Sequence, residues 1–384
     1  MSRWPRVRLG DVVGFTSGGT PSRATPAFYA GDIQWVTGAD LGGGRIQRVR
    51  SLITPGAVAA SATSVVPAGT VLLVTRTSVG KVAIAHHDVA FSQDITALRP
   101  DSSRLHTGYL THFLRTQQAT LSREARGATI QGVTREVVAS LVIPLPPVSK
   151  QRRIAEVLDR ADALRAKRRE ALALLDDLTQ SIFLDMFGHP SAGDIRWPTA
   201  PLGEVARTTS GGTPSRAVRG NYGGQVPWVK SGELHGGVVM KTEEHLTERG
   251  LADSSAKLMP AGTVLVAMYG ATAGVIARLG IPAATNQAIC SIEVGSNLDP
   301  EFLRRTLKLP TLKLLSQRVG GAQPNLSQGA IRALRIPIPP VELQQKFAGW
   351  IRAAEMLSEQ LGQHRTQLDC LFASLQQRAF AGQL

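Results

Sequence analysis

Three pairs of short polar loops carry the side chains best suited to specific chemistry. With the two halves of the sequence laid over each other, Arg76-Thr77-Ser78 faces Gly270-Ala271-Thr272 with one residue of slip. Thr37-Gly38-Ala39-Asp40 faces Lys230-Ser231-Gly232-Glu233, and Gly127-Ala128-Thr129-Ile130-Gln131-Gly132 faces Gly320-Gly321-Ala322-Gln323-Pro324-Asn325. An arginine can bond guanine bidentately, and an asparagine or glutamine can do the same to adenine. Arg76, Gln131, Gln323 and Asn325 are therefore candidate base readers, with Thr77, Ser78, Thr129, Lys230 and Ser231 beside them. Lys81 is better placed for a phosphate. Arg23 and Arg216 end an identical turn in both halves, so they cannot tell two sequences apart. They suit phosphate contact or, on a plainer reading, a fold-stabilising pair. Any of the loop residues can equally be a polar group that closes its own loop.

Catalytic constellations are missing. Gly80-Lys81 has Thr75 and Val82 where a phosphate-binding loop needs Gly and Ser/Thr. Gly42-Gly43-Gly44 reads as a turn, not a dinucleotide fingerprint, and His86-His87 has no companions at metal-ligand spacing. No Ser/His/Asp or paired-carboxylate pattern stands out. Cys290 and Cys370 are the only cysteines, which argues against a disulfide framework or a Cys-rich metal site.

The elements that must hold these loops are written twice. Thr16-Ser17-Gly18-Gly19-Thr20-Pro21-Ser22-Arg23 returns unchanged as Thr209-Ser210-Gly211-Gly212-Thr213-Pro214-Ser215-Arg216, 193 residues later. The same offset carries Trp35-Val36 onto Trp228-Val229, and Pro67-Ala68-Gly69-Thr70-Val71-Leu72 onto Pro260-Ala261-Gly262-Thr263-Val264-Leu265. A period this long is a duplicated domain with its connector, not a solenoid unit, whose period is ~20–50 residues. β-branched runs such as 70–75 and 263–267 read as buried strands, and helices fit around 109–116 and 302–315. Trp35 and Trp228 read as core. Each repeat is thus an α+β domain.

A different pattern follows each Pro-Pro pair. Ile154, Val157, Ala161, Leu164, Arg168, Ala171, Leu175, Leu178 and Ile182 keep a 3-4 spacing, repeated by Phe347, Trp350, Ala354, Leu357, Leu361, His364, Leu368, Leu371 and Leu375. Both stretches read as long amphipathic helices whose stripes bury each other as a coiled coil. Pro146-Pro147 and Pro339-Pro340 set their starts, and Gly188 and Pro190 stop the first. The expected organisation is a recognition module at 1–149, a helical spacer at 150–190, a second module at 196–340 and a second spacer at 341–384.

The net charge of +14 sits wholly in the modules. Residues 1–149 hold 15 Lys/Arg against 8 Asp/Glu and residues 196–340 hold 16 against 9, while the two spacer segments are balanced. Two equally basic modules on neutral connectors imply two contacts with a polyanion. Aromatics are only 5% of the chain, which favours duplex over stacked single strands. No apolar run approaches a membrane span and the N-terminus lacks a signal-peptide stretch, so a cytoplasmic location is expected.

Further motifs keep the same order twice. Leu202-Gly203-Glu204-Val205, Val226-Pro227-Trp228-Val229, Asn286-Gln287 and Ile336-Pro337-Ile338-Pro339-Pro340-Val341-Glu342-Leu343-Gln344-Gln345 flank the motifs above. Ser92-Gln93 and Pro146-Pro147-Val148 with Gln151-Arg152-Arg153-Ile154 are their counterparts. Across essentially the whole chain this resembles the specificity subunit of type I restriction–modification systems. The resemblance implies two target-recognition domains and two spacers packed as an antiparallel coiled coil in a pseudo-two-fold repeat. It also implies a non-catalytic reader of a bipartite duplex DNA site, one half-site per domain. Gln93, Asn286 and Gln287 join the DNA-binding candidates on this ground. Two adenine methyltransferase subunits and ATP-dependent restriction subunits are the implied partners. S-adenosylmethionine, ATP and Mg are expected on those partners and no cofactor on this chain. The methyltransferase motif, Asn/Asp-Pro-Pro-Tyr/Phe, is absent here, since Val148 and Val341 follow the Pro-Pro pairs. An interaction scaffold that binds nucleic acid without sequence preference is the alternative.

Overall fold

A computed structural model describes residues 4–126, 131–188, 196–309 and 326–384. The chain forms two compact units, one from residues 1–170 and 362–384, the other from residues 171–361. The units do not coincide with the sequence modules, because each takes in part of both long helices.

In the first unit a four-stranded antiparallel sheet runs in the order Val13–Ser17, Ile95–Pro100, Val71–Val74, Val82–Ile84. A second sheet has the order Ser51–Ile53, Ile33–Val36, Val89–Phe91, Val65–Val66, and its central pair is parallel. Val71–Val74 is buried along its whole length. Its period of two divides the side chains between two cores. Val71 and Leu73 join Tyr109, Leu110 and Phe113 of helix Thr107–Thr116. Leu72 and Val74 join Val36, Val89 and Phe91 under the second sheet. The second unit repeats this, with Val264 and Val266 against Phe302 and Leu303, and Leu265 and Ala267 against Val229 and Ile289.

The repeated Pro-Ala-Gly-Thr is the turn that launches this central strand. Gly69 and Gly262 have φ of 85° and 94°, a left-handed backbone that favours glycine. The Thr70 and Thr263 hydroxyls close the turn by donating to the carbonyls of Pro67 and Pro260, at 2.7 and 2.8 Å.

The long helices span Val148–Phe187 and Val341–Ala381. At 1.5 Å per residue each is about 60 Å long. Val148 and Val341 begin the helices directly after the Pro-Pro pairs, and the first ends at Gly188, whose φ is 83°; Pro190 lies outside the described residues. The second module's helix Pro300–Lys308 stops short of the expected 302–315, since Leu309 precedes Pro310 and is extended; residues 310–315 lie outside the described ones.

Each long helix is buried differently from the expected stripe. Ile154 and Leu158, together with Phe372 and Ala379, pack into the first unit's core around Tyr109 and Phe113. Phe183, Phe187, Phe347 and Ile351 pack around Phe302 in the second. So the start of one helix and the end of the other share a core in each unit, an antiparallel arrangement. The price of that docking is the other register of the 3-4 repeat. Val157, Leu164, Leu178, Trp350, Leu357 and Leu371 are left between 38% and 55% exposed. The helices bury apolar area against the recognition modules as well as against each other, which rotates the covered face away from these positions.

Gln151 and Gln344, both fully buried, fix each helix to its module. Gln151 Oε1 accepts from the His106 N–H at 2.8 Å, while its Nε2 donates to the Arg104 and Pro146 carbonyls. Gln344 does the same for Asp299, Asn297 and Pro339. No helix among the described residues is long and apolar enough to cross a membrane.

Candidate nucleic-acid interface

The identical Gly-Gly-Thr-Pro-Ser-Arg segments are scaffolding first. A Cβ on Gly19 would overlap the backbone of Ala62 and Thr63, and one on Gly212 that of Ser255 and Ala256. The buried Trp35 and Trp228 donate their Nε1–H to the Gly19 and Gly212 carbonyls, both at 3.1 Å. Tyr29 and Tyr222 hydroxyls donate to the Pro21 and Pro214 carbonyls, both at 2.7 Å. The same three-point lock therefore sets the same backbone twice, with both tryptophans in the core as expected.

Strands Ile33–Val36, Val71–Val74 and Val89–Phe91 of the first unit hand over to loops that are stitched together. Ser92 N–H donates to the Val36 carbonyl, Thr75 and Arg76 N–H to that of Asp94, and Val133 N–H to that of Thr75. Thr77 N–H donates to the Gln131 carbonyl at 3.0 Å, and Lys81 Nζ to the Gly38 carbonyl at 3.4 Å. Arg76, Thr77, Ser78, Lys81, Gln93 and Gln131 are thus brought into one cluster, and Gly18-Gly19 reaches it through the bond from Gly19 N–H to the Phe91 carbonyl. Arg76, Gln93, Gln131 and Arg23 are exposed. Arg23 and Arg76 form no ion pair among the described residues. Thr77 is the one described non-glycine residue with positive φ, 66°. For a β-branched side chain that geometry is strained, and strain of this kind gathers at functional loops.

The second unit follows the same plan with different chemistry. Asn286 N–H donates to the Val229 carbonyl, Met268 N–H to that of Ala288 and Leu326 N–H to that of Met268. Gln287 is hydrogen-bonded by the Thr213 hydroxyl, which brings the repeated turn against the candidate amides. Asn286 Oδ1 has no partner among the described residues. Tyr269, exposed before the turn Gly270–Thr272, adds an aromatic face that the sequence reading passed over. Thr129, Gln323 and Asn325 lie outside the described residues.

Two of the cationic candidates are already ion-paired. Arg216 donates through Nη2 to both Glu244 carboxylate oxygens and lies 4.6 Å from the Tyr222 ring centroid, which is the fold-stabilising role. Lys230 Nζ bonds Glu243 at 2.9 Å and Glu244 at 3.0 Å. Those two carboxylates hold its ammonium up at about 12, and Lys230 in turn keeps Glu244 below its ordinary range. Ser231 opens the turn Ser231–Glu233. The loop-closing acids were legible but unread: Asp40 accepts from the Thr37 N–H and hydroxyl, and Glu233 from the Lys230 N–H. An acid three residues after the loop's first residue is a capping-box spacing. No group of three or more metal-ligating side chains occurs among the described residues.

The chain has close company among known proteins. A family profile described as the type I restriction modification DNA specificity domain matches residues 1–174 and 195–355. The type I restriction enzyme MjaIX specificity subunit of Methanocaldococcus jannaschii is 24% identical over 368 residues, covering 90% of this chain and 85% of that one. The EcoR124I/EcoR124II specificity subunit of Escherichia coli is 30% identical over 179 residues, 45% of this chain and 44% of its own. In fold, the chain is similar to the S subunit of a type I system from M. genitalium, with a TM-score of 0.65 at 17% identity, covering 99% of this chain and 96% of that one.

Proposed function

Since the chain belongs to the type I restriction–modification DNA specificity family, we propose that it reads a bipartite duplex site, one half-site per recognition module. Specificity subunits are the non-catalytic, DNA-recognising component of such systems. The observation that carries the reading is the placement of the variable loops. Residues that differ between the repeats meet at equivalent strand ends, on a scaffold whose glycines, tryptophans and tyrosines are the same in both. One frame with two sets of loop side chains is what reading two different half-sites requires.

In the first module Arg76 and Gln131 read bases, while Arg23 and Lys81 hold phosphates. Thr77, Ser78 and Gln93 complete that surface, and Thr129 is assigned to the same half-site from its place in the sequence. In the second, Asn286, Gln287, Gln323 and Asn325 supply amides. Lys230, Ser231 and Arg216 serve the same half-site, with Lys230 and Arg216 exchanging carboxylates for phosphate only if their ion pairs open. The long helices set the gap between half-sites. Their exposed residues, Val157, Leu164 and Leu178 on one and Trp350, Leu357 and Leu371 on the other, stand at matching positions of the repeat. This supports docking of two adenine methyltransferase subunits on equivalent surfaces, with ATP-dependent restriction subunits joining that core. S-adenosylmethionine, ATP and Mg belong to those partners.

Single-molecule methylation sequencing of DNA from cells with and without this gene, alongside its methyltransferase, tests the reading. The expected result is a gene-dependent N6-methyladenine motif of two short half-sites around an unspecified gap. A motif that persists without the gene, or a single undivided motif, would overturn it.

A further inference from the structure

The two units differ in chemistry at one spot where the long helices meet the helix that packs on each central strand. In the first, Arg165 bonds Asp369 at 2.6 Å and Asp162 at 2.9 Å, with its guanidinium 4.4 Å from the Phe372 ring centroid. Arg115 bonds the other oxygen of Asp162 at 2.8 Å and flanks the same ring at 5.7 Å. Cations, carboxylates and ring thus satisfy one another within the unit.

Shifted by 193 residues, Arg115, Asp162, Arg165, Asp369 and Phe372 become Lys308, Glu355, Ser358, Asp176 and Thr179. Both acids persist in kind. The central guanidinium and the ring it covers do not. Where they would stand, the second unit has a cavity of about 560 Å³ whose lining includes Asp176, Thr179, Arg304, Arg305, Lys308, Glu355 and Ser358, with a second of about 280 Å³ that shares Asp176, Thr179, Arg305 and Lys308. The larger has the size of a ligand site. Glu355 is held by Arg304 and Arg305. Asp176 forms no ion pair among the described residues, whereas its counterpart Asp369 has one.

We propose that this cavity receives the arginine side chain of a partner polypeptide, which does in trans what Arg165 does within the first unit. The comparison specifies the ligand: an acid at the position where the first unit binds a guanidinium Nε–H, and a cavity where the first unit has that guanidinium stacked on a ring. Exposed Leu178, Met240, Met356 and Leu357 stand next to the lining residues in sequence or among them. A polypeptide would cover such apolar neighbours and a free cation would not. The partner taken here is the methyltransferase subunit, so the identity of the donor rests on the docking reading above.

The test measures the affinity of the methyltransferase subunit for the full chain and three variants. S358R/T179F installs the first unit's own plug, and Asp176→Asn removes the acid. Both are expected to weaken one of the two methyltransferase binding steps by tenfold or more, as loss of a charge-paired interface contact does, and to leave the other, at the first unit, unchanged. Asp369→Asn, at the site that Arg165 already fills, should stay within about twofold of wild type. Wild-type affinity in both S358R/T179F and Asp176→Asn overturns the proposal. A wild-type chain that binds no methyltransferase subunit defeats the docking reading instead. The cavity is then judged by N-acetyl-arginine amide in an NMR titration. Saturable shifts in wild type that vanish in Asp176→Asn sustain it. No binding, or equal binding of N-acetyl-lysine amide, overturns it.

Discussion

Thr77 holds a left-handed backbone while its N–H serves the Gln131 carbonyl, so the loop that presents Arg76 stays in a conformation threonine disfavours. Such strain costs about 1–3 kcal/mol. Glycine relieves it but gives back about 0.5–1 kcal/mol through the freedom of the unfolded chain. T77G is therefore expected to raise the unfolding free energy by about 1 kcal/mol in denaturant melts while weakening discrimination in the first half-site. Lost stability in T77G would show that the threonine side chain, not the strain, matters. Arg76 and Lys81 separate recognition from affinity. R76A should relax one position of the first half-site at a cost of about 1–3 kcal/mol. K81A should weaken binding to all sequences and lower the salt slope by about one. Competition binding at several salt concentrations distinguishes them, and a K81A effect confined to one sequence would reverse the assignment. The types and rough placement of these residues were legible in the sequence. The positive φ of Thr77 was not, because threonine gives no hint of a conformation normally left to glycine. Nor were the ion pairs of Arg216 and Lys230, whose acids Glu243 and Glu244 lie 13 or more residues away.

At the scale of elements, each long helix is pinned by one buried glutamine. Q151L keeps most of the volume but leaves the His106 N–H and the Arg104 and Pro146 carbonyls without partners. At about 1–3 kcal/mol for each of the three orphaned groups, the expected loss is about 3–9 kcal/mol. A loss under about 1 kcal/mol in urea unfolding would mean that water replaces the side chain. Glutamine near a helix start looks like surface in a sequence, so only its recurrence as Gln344 pointed to a role. Helix periodicity revealed the two long helices but misassigned part of their buried face. A 3-4 stripe says which residues share a side, not which neighbour claims it. Helix Thr107–Thr116 adds a pH dependence. Burial holds the His112 imidazole below its ordinary range, outweighing the bond to Asp159 at 2.8 Å. His106 is lowered too, by burial and then by nearby Arg152. The unfolded chain therefore binds more protons than the folded one just below pH 6.5, and stability falls as pH drops through that window. The melting midpoint should decline from pH 7 to 5.5, and H112Q should show a shallower decline. An unchanged slope would place the acid sensitivity elsewhere.

For the molecule as a whole, the long helices are continuous through Val148–Phe187 and Val341–Ala381, so a ruler role makes a quantitative demand. Removing seven residues from each keeps the 3.5-residue seam in register and shortens each helix by about 10 Å. The methylated motif should then lose about three base pairs from its gap, at 3.4 Å per base pair, with both half-sites unchanged. An unaltered gap would rule out the ruler. The duplication, the strand–turn motifs and the split of charge told most of this architecture in advance. The division into units did not follow the repeat, because contacts formed by the last turns of one helix complete the module at the other end of the chain.

That crossing has a consequence for synthesis. The first unit needs Phe372, Ala379 and Phe380 over Tyr109 and Phe113, yet the ribosome makes the entire second unit in between. At ~5–20 residues per second, the roughly 190 intervening residues take about 10–40 s. For that interval the earlier-made module carries an uncovered aromatic surface in the crowded cell, because the strap that closes it is translated only after the whole of the second unit.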